Sequence, residues 1–244
     1  RVYDNPSPYL KIVDYISFSG GGYDLIKGTM GLKVRMVQEK LNIVNNRAIV
    51  DEIFMEKVKA FQLQNGLSVD GIVGLNTWRA MGFSDSDWYY KGTYVTPIKT
   101  NMYSTREDHI EAMIATAKSY LGTTYMIGAA GPPGTGIDCS GLVLQALYSA
   151  GLNPLPISIV RHSKPGYEYE SYYLWNYSKF KHVSYAERRR GDLIFYSNAL
   201  GRVNHVGIYL GDNQVIEAYP DKVVIWPMTN SIRYRIKGFA RPFI

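Results

Sequence analysis

One cysteine, Cys139, stands in a chain of 244 residues, so no disulfide can form within it and its stability has to come from packed cores. No apolar run reaches the ~18 residues that cross a bilayer, and no membrane span is expected. The first thirty residues lack the basic-then-apolar pattern of a secretory signal, and the chain starts at Arg1. It reads as a processed or trimmed product whose compartment follows only from what it acts on. The only tight basic run is Arg188, Arg189 and Arg190, which reads as a solvated loop.

Charge alone does not pick a partner. A formal net charge of +6 and a pI near 9.2 favour polyanions such as nucleic acid, acidic lipid or anionic polymers. The interleaved basic and aromatic pattern of a nucleic-acid module is missing, so nucleic acid is not expected. Hydrophobic residues make up 46% and charged residues 20% of the chain, a globular balance, and the length suggests two compact units. A monomer is expected.

The first unit shows an internal repeat. Lys33, Val34, Gln38 and Ile43 recur as Lys57, Val58, Gln62 and Leu67, and Val50, Asp51, Ile53 and Phe54 are echoed by Val69, Asp70, Ile72 and Val73. Val34, Val37 and Leu41 share a helical face, as do Val58 and Phe61, which predicts helices near 32–42 and 53–65. Asp70, Gly71 and Gly74 mark turns. Thr77, Trp78 and Met81 predict a short closing helix ended by Gly82. Residues 1–83 therefore read as an N-terminal segment plus a small three-helix domain with its core at about 28–83. Residues 84–104, polar and aromatic with Pro97, read as a linker with one extended segment.

In the second unit, 105–244, Ser104 and Glu107 fit a capping box. Ile110, Met113, Ile114, Ala117 and Leu121 then trace the apolar stripe of a scaffold helix ended by Gly122. The stretch GPPGTGIDCSGLVLQALYSAG places Cys139 where a Gly/Pro loop becomes an apolar helix. Backbone N–H groups and the helix dipole at such a position stabilise a thiolate and an oxyanion. The plainer reading is a buried apolar cysteine; the polar Asp-Cys-Ser-Gly context favours a nucleophile.

A thiol nucleophile needs a base. Among 4 histidines, His205 lies in VNHVGIYLGDNQVIEAY, which reads as two strands around a Gly-Asp-Asn turn. Alternation puts His205, Gly207 and Tyr209 on one face and Val206, Ile208 and Leu210 on the other. With a three-residue turn Gly207 falls opposite Glu217, and His205 becomes the diagonal neighbour of that carboxylate. Glu217 is then either the group that orients the imidazole or a solvent-facing strand residue.

Two resemblances follow. The phrases VDEIFMEKVKAFQ and GLSVDGIVGLNTW resemble the peptidoglycan-binding domain found beside many wall hydrolases. Gly122 to Tyr125, Asp138 to Gly141, RRGDLIFY at 189–196 and NHVGIYLGDNQVIEA together resemble the NlpC-type cysteine peptidases, bacterial wall enzymes with a papain-like fold. The resemblance implies an α+β catalytic domain, helices packed on a small antiparallel sheet, behind the three-helix wall-binding domain. It also implies a catalytic set falling on Cys139, His205 and Glu217, the last where the family usually has histidine. Tyr125 is implied near the nucleophile, for oxyanion or substrate contact or for packing. Asp138 serves either as helix cap or as contact for a substrate amine, with Ser140 beside it.

The implied activity is a secreted, endolysin-like peptidoglycan endopeptidase at the bacterial cell wall. Its bond would be that between D-glutamyl (or D-isoglutaminyl) and the diamino acid of the stem peptide, with the glycan and anionic wall polymers as further partners. The same groups would serve a muramoyl-L-alanine amidase, a cross-bridge peptidase or a protease of ordinary proteins, and an inactive wall-binding protein is the alternative of another class. No cofactor is needed. His162 and His182 have no cysteine or carboxylate at ligand spacing, which speaks against a metal site. The aromatic segment from Tyr167 to Tyr177 either walls the groove or packs within an insertion.

Overall fold

A computed structural model describes residues 1–17, 21–154, 162–164, 170–230 and 235–244. Tyr167 and Tyr169 lie outside the described residues. Four helices occupy the first half: α1 (Leu32–Lys40), α2 (Glu52–Gln64), α3 (Leu75–Ala80) and α4 (Asp85–Tyr90). The second half holds α5 (Arg106–Ser119), α6 (Cys139–Ser149) and α7 (Glu170–Trp175). Its strands are β1 (Lys181–Val183), β2 (Leu193–Ser197), β3 (Val203–Gly211), β4 (Gln214–Ala218), β5 (Val223–Pro227) and β6 (Arg235–Arg241). They form one antiparallel sheet in the order β1-β6-β2-β3-β4-β5.

The repeat has a physical cause. Val34, Val37, Phe54, Val58, Val73 and Trp78 fill the smaller core, and the two repeated glutamines are buried with them. Gln62 donates to Asp70 Oδ1, Ile72 O and Thr77 Oγ1, and its Oε1 accepts from the amides of Asp70 and Gly71. Gln38 likewise donates to Arg47 O. Each helix thus stitches the loop that follows it, satisfying backbone groups that packing removes from water. The repeated lysines part company: Lys57 is exposed, whereas Lys33 is buried with its Nζ 3.9 Å from the ring centroid of Tyr23 and 3.7 Å from that of Trp88.

Two sequence expectations shift. Residues 84–104 are not all linker, because Ser84 caps α4 by accepting from Asp87 N and so seats Trp88 in the smaller core. The capping box of α5 is Thr105 with Asp108 rather than Ser104 with Glu107, and the helix ends before Leu121, which is exposed. The N-terminal stretch packs on the larger core: Ile12 joins it, and Asn5 donates to Pro242 O and accepts from Ile244 N.

The larger core lies between α5, α6 and the sheet, with Leu142, Val143, Ala146 and Leu147 of α6 against Val206 and Ile208 of β3. The two halves meet closely at Gly31. Its φ is +98°, and a Cβ there would come within 2.5 Å of Gly128 O, so only glycine fits.

Candidate active site

Cys139 is the first residue of α6, and Asp138 is its N-cap. The Asp138 side chain accepts from Gly141 N at 2.8 Å, satisfying one of the free amides of the first turn. All 11 residues of α6 are buried, so the helix is a rigid mount. Cys139 keeps 8% of its surface open, against 2% for His205 and 0% for Glu217.

The β3–β4 hairpin supplies the partners. Its turn is two residues, Asp212 and Asn213, both in the left-handed region at φ +48° and +59°, the conformation that matches strand twist. A register irregularity between Tyr209 and Gly211 adds the residue that the expected three-residue turn would have held. Ile208 pairs with Ile216, so the ladder runs on to bring Gly207 opposite Glu217. Across that empty corner His205 Nε2 and Glu217 Oε2 stand 2.6 Å apart. Cys139 stands close enough for its charge and hydrogen bonding to act on the His205 ring.

Burial works to lower the His205 pKa, but the charge and hydrogen bond of Cys139, then the hydrogen bond and charge of Glu217, raise it to about 10. Both neighbours favour the protonated form of the ring.

Sequence reading missed several neighbours. Trp226 on β5 donates its indole N–H to Glu217 Oε1, fixing the carboxylate from the other side. Tyr196 pairs directly with His205 across β2 and β3, with ring centroids 5.4 Å apart, and Tyr219 lies 5.5 Å from the imidazole. The strand β5 carried a signal: Glu217 pairs with Val224, and Trp226 sits two residues on, on the same face.

The other expected site residues are placed as follows. Tyr125 donates its backbone N–H to Asp221 O at 2.7 Å, and its ring stands edge-on to Tyr219 at 6.5 Å, one ring removed from His205. Ser140 turns its hydroxyl inward, to Asp138 Oδ1 at 3.0 Å. Asp138 Oδ2 accepts from Gly128 N at 2.8 Å and contacts His162 Nε2 at 2.9 Å. His182 is exposed and stacks on Trp175, which also packs on Phe195, so this part of the aromatic segment braces the fold.

Arg190 is solvent-exposed, as expected of the basic run, and makes a two-pronged surface contact with Glu111 at 2.8 and 2.9 Å. Asp192, inside RRGDLIFY, is buried and takes two hydrogen bonds from Arg241, at 2.8 and 2.9 Å, pinning β6 to the start of β2.

Residues 122–237 match the family model described as "NlpC/P60 family", and residues 31–81 match "Putative peptidoglycan binding domain". The "Probable endopeptidase p60" of Listeria grayi is 29% identical over 54% of this chain and 22% of its own length. The "Peptidoglycan endopeptidase RipB" of Mycobacterium tuberculosis is 34% identical over 45% of this chain and 43% of its own length. The chain therefore spans less than half the length of either relative. A solved P60 domain of an antigen from M. avium subspecies paratuberculosis shares 27% identity, covering 57% of this chain and 98% of that one, with a TM-score of 0.42. The chain thus carries an NlpC/P60 family domain over residues 122–237, behind a peptidoglycan-binding domain over residues 31–81.

Proposed function

We propose that the chain is a secreted peptidoglycan hydrolase of the bacterial wall: a cysteine endopeptidase in which residues 105–244 cut stem peptides while residues 28–83 hold the wall. One observation carries the reading: at the mouth of α6, His205 is bonded to Glu217 and lies near enough to Cys139 for that residue to act on its pKa. The matched relatives bear endopeptidase names, and a wall-binding domain beside the site keeps its substrate at hand.

In this mechanism the Cys139 sulfur, its proton held on His205, attacks the amide carbonyl, and a carbon–sulfur bond forms. The N–H groups at the start of α6 that the Asp138 cap does not take face the developing oxyanion. His205 then gives its proton to the leaving nitrogen as the carbon–nitrogen bond breaks. Water, deprotonated by the now neutral His205, hydrolyses the thioester and restores the ion pair. Glu217 holds the imidazole in line throughout. No cofactor takes part.

The proposed bond joins D-glutamyl, or D-isoglutaminyl, to the diamino acid. Digestion of defined muropeptides followed by mass spectrometry tests it: the expected products are a fragment ending at that glutamyl residue and one beginning at the diamino acid. Newly freed muramic-acid ends would instead identify an amidase and sink the endopeptidase assignment.

A further inference from the structure

Another buried histidine, His162, touches the nucleophile's cap, and the catalytic pair does not use it. His162 is 3% exposed, and its two neighbours, Asp138 and Glu170, are 7% and 1% exposed. Its Nε2 lies 2.9 Å from Asp138 Oδ2, and its Nδ1 contacts Glu170 Oε2. Carboxylates only accept, so both ring nitrogens donate and the ring is a cation. Burial opposes that charge, yet Asp138 and Glu170 together push the His162 pKa well above its ordinary value. Burial likewise works against the Asp138 carboxylate, while the charge and hydrogen bond of His162 and the amides of Gly141 and Gly128 hold its pKa below the usual range.

The consequence reaches Cys139 through Asp138. That carboxylate takes donors from Gly141 N, Ser140 Oγ, Gly128 N and His162, which fills the ~4 lone-pair positions it has. It therefore ties together the first turn of α6, the turn before it and the His162 segment, and has nothing left to offer a substrate amine. Glu170 opens α7, which packs against both α6, the mount of Cys139, and β3, the mount of His205. Tyr148 of α6 also feels the Glu170 charge, which adds to burial in raising its pKa.

We infer that His162 is a positioning residue: clamped between Glu170 and Asp138, it fixes the loop-to-helix junction of α6 and so keeps the Cys139 sulfur within reach of His205. This rests on the catalytic pair proposed above, and a substrate-free measurement separates the two. The rate of Cys139 alkylation by iodoacetamide is followed on the full chain from about pH 5 to pH 9, for the parent, His162→Ala, His162→Gln and Glu170→Gln. The parent should stay reactive in the acid range, as a thiolate paired with an imidazolium does. His162→Ala should lose about tenfold at pH 6, the equivalent of one unit in the thiol's titration, with unchanged circular dichroism. His162→Gln, whose amide still donates to Asp138, should recover most of that loss.

A folded His162→Ala with the parent's pH curve, or His162→Gln as slow as His162→Ala, overturns the inference. Should His162→Ala fail to fold, Glu170→Gln decides: a clear loss at pH 6 supports the clamp, and a curve superimposable on the parent's rejects it. A parent that itself reacts like an ordinary thiol, titrating near ~8.5, rejects the catalytic pair first and the clamp with it.

Discussion

Gly207 and Glu217 face each other across β3 and β4 so closely that a Cβ on Gly207 would sit 3.1 Å from Glu217 Cβ and 2.6 Å from Val215 Cγ2. The glycine is what lets the carboxylate lean diagonally to His205. Gly207→Val should displace Glu217 and cost about 1–3 kcal/mol from overpacking. Thermal melting and peptidase assays should both fall; parent-like activity in the folded variant would show that the empty corner is not needed.

Glu217→Gln keeps an acceptor near His205 and removes a charge. The catalytic acid works only while protonated, and Glu217 is among the groups that raise His205 to about 10. With a lower folded-state pKa the imidazole loses its proton at lower pH, so the alkaline limb of the rate profile should move toward neutrality. The maximal rate should drop by about tenfold or more, within the usual range for acid–base groups. A pH–rate profile overlapping the parent's on the alkaline side would remove Glu217 from that role.

Lys33 gives the smaller core a pH signature. Burial pulls its pKa down to about 7 against the opposing charge of Asp24, while Nζ donates to Tyr23 O and Trp88 O. A lysine with a folded-state pKa below its unfolded value leaves the unfolded chain holding the extra proton between the two values, so stability rises with pH there. Relative to Lys33→Met, the parent should gain about 1.4 kcal/mol per pH unit above pH 7. A stability difference that stays flat from about pH 7 to pH 9 in paired melting curves would refute the buried, titrating lysine.

Gln62 is the tie between α2 and the turn at Asp70. Gln62→Ala strands the buried amide of Gly71 and frees the part-buried amide of Asp70 and should cost about 1–3 kcal/mol. Chemical denaturation of the full chain, followed by Trp78 and Trp88 fluorescence, should show the earlier transition moving to lower denaturant. An unmoved midpoint would mean that solvent takes over those amides without loss.

How much of this was written locally differs from element to element. Cys139 at a helix start and His205 diagonal to Glu217 were legible, because a loop-to-helix change and a strand period of two are carried by neighbouring residues. The turn was mistaken by one residue, yet the irregularity at Tyr209 and Gly211 restored the register, since the apolar face of β3 allows only one pairing. Non-local partners left no such trace. Trp226, Tyr196, Arg241 and the His162–Asp138–Glu170 cluster come together only through sheet order and helix packing. Lys33 and Lys57 occupy equivalent repeat positions, and no local pattern tells which one meets Tyr23 and Trp88. The packing of Tyr3 and Asn5 against the last residues of the chain depends on contacts more than 200 residues apart.

Cleavage by the Cys139 sulfur is tested most directly on purified sacculi. Equal amounts of the parent, Cys139→Ala and parent alkylated at Cys139 are incubated with the same sacculi, and soluble muropeptides and sedimented protein are measured together. All three should sediment with the walls while only the unmodified parent releases muropeptides. Release by Cys139→Ala equal to that of the parent would contradict cleavage by that sulfur.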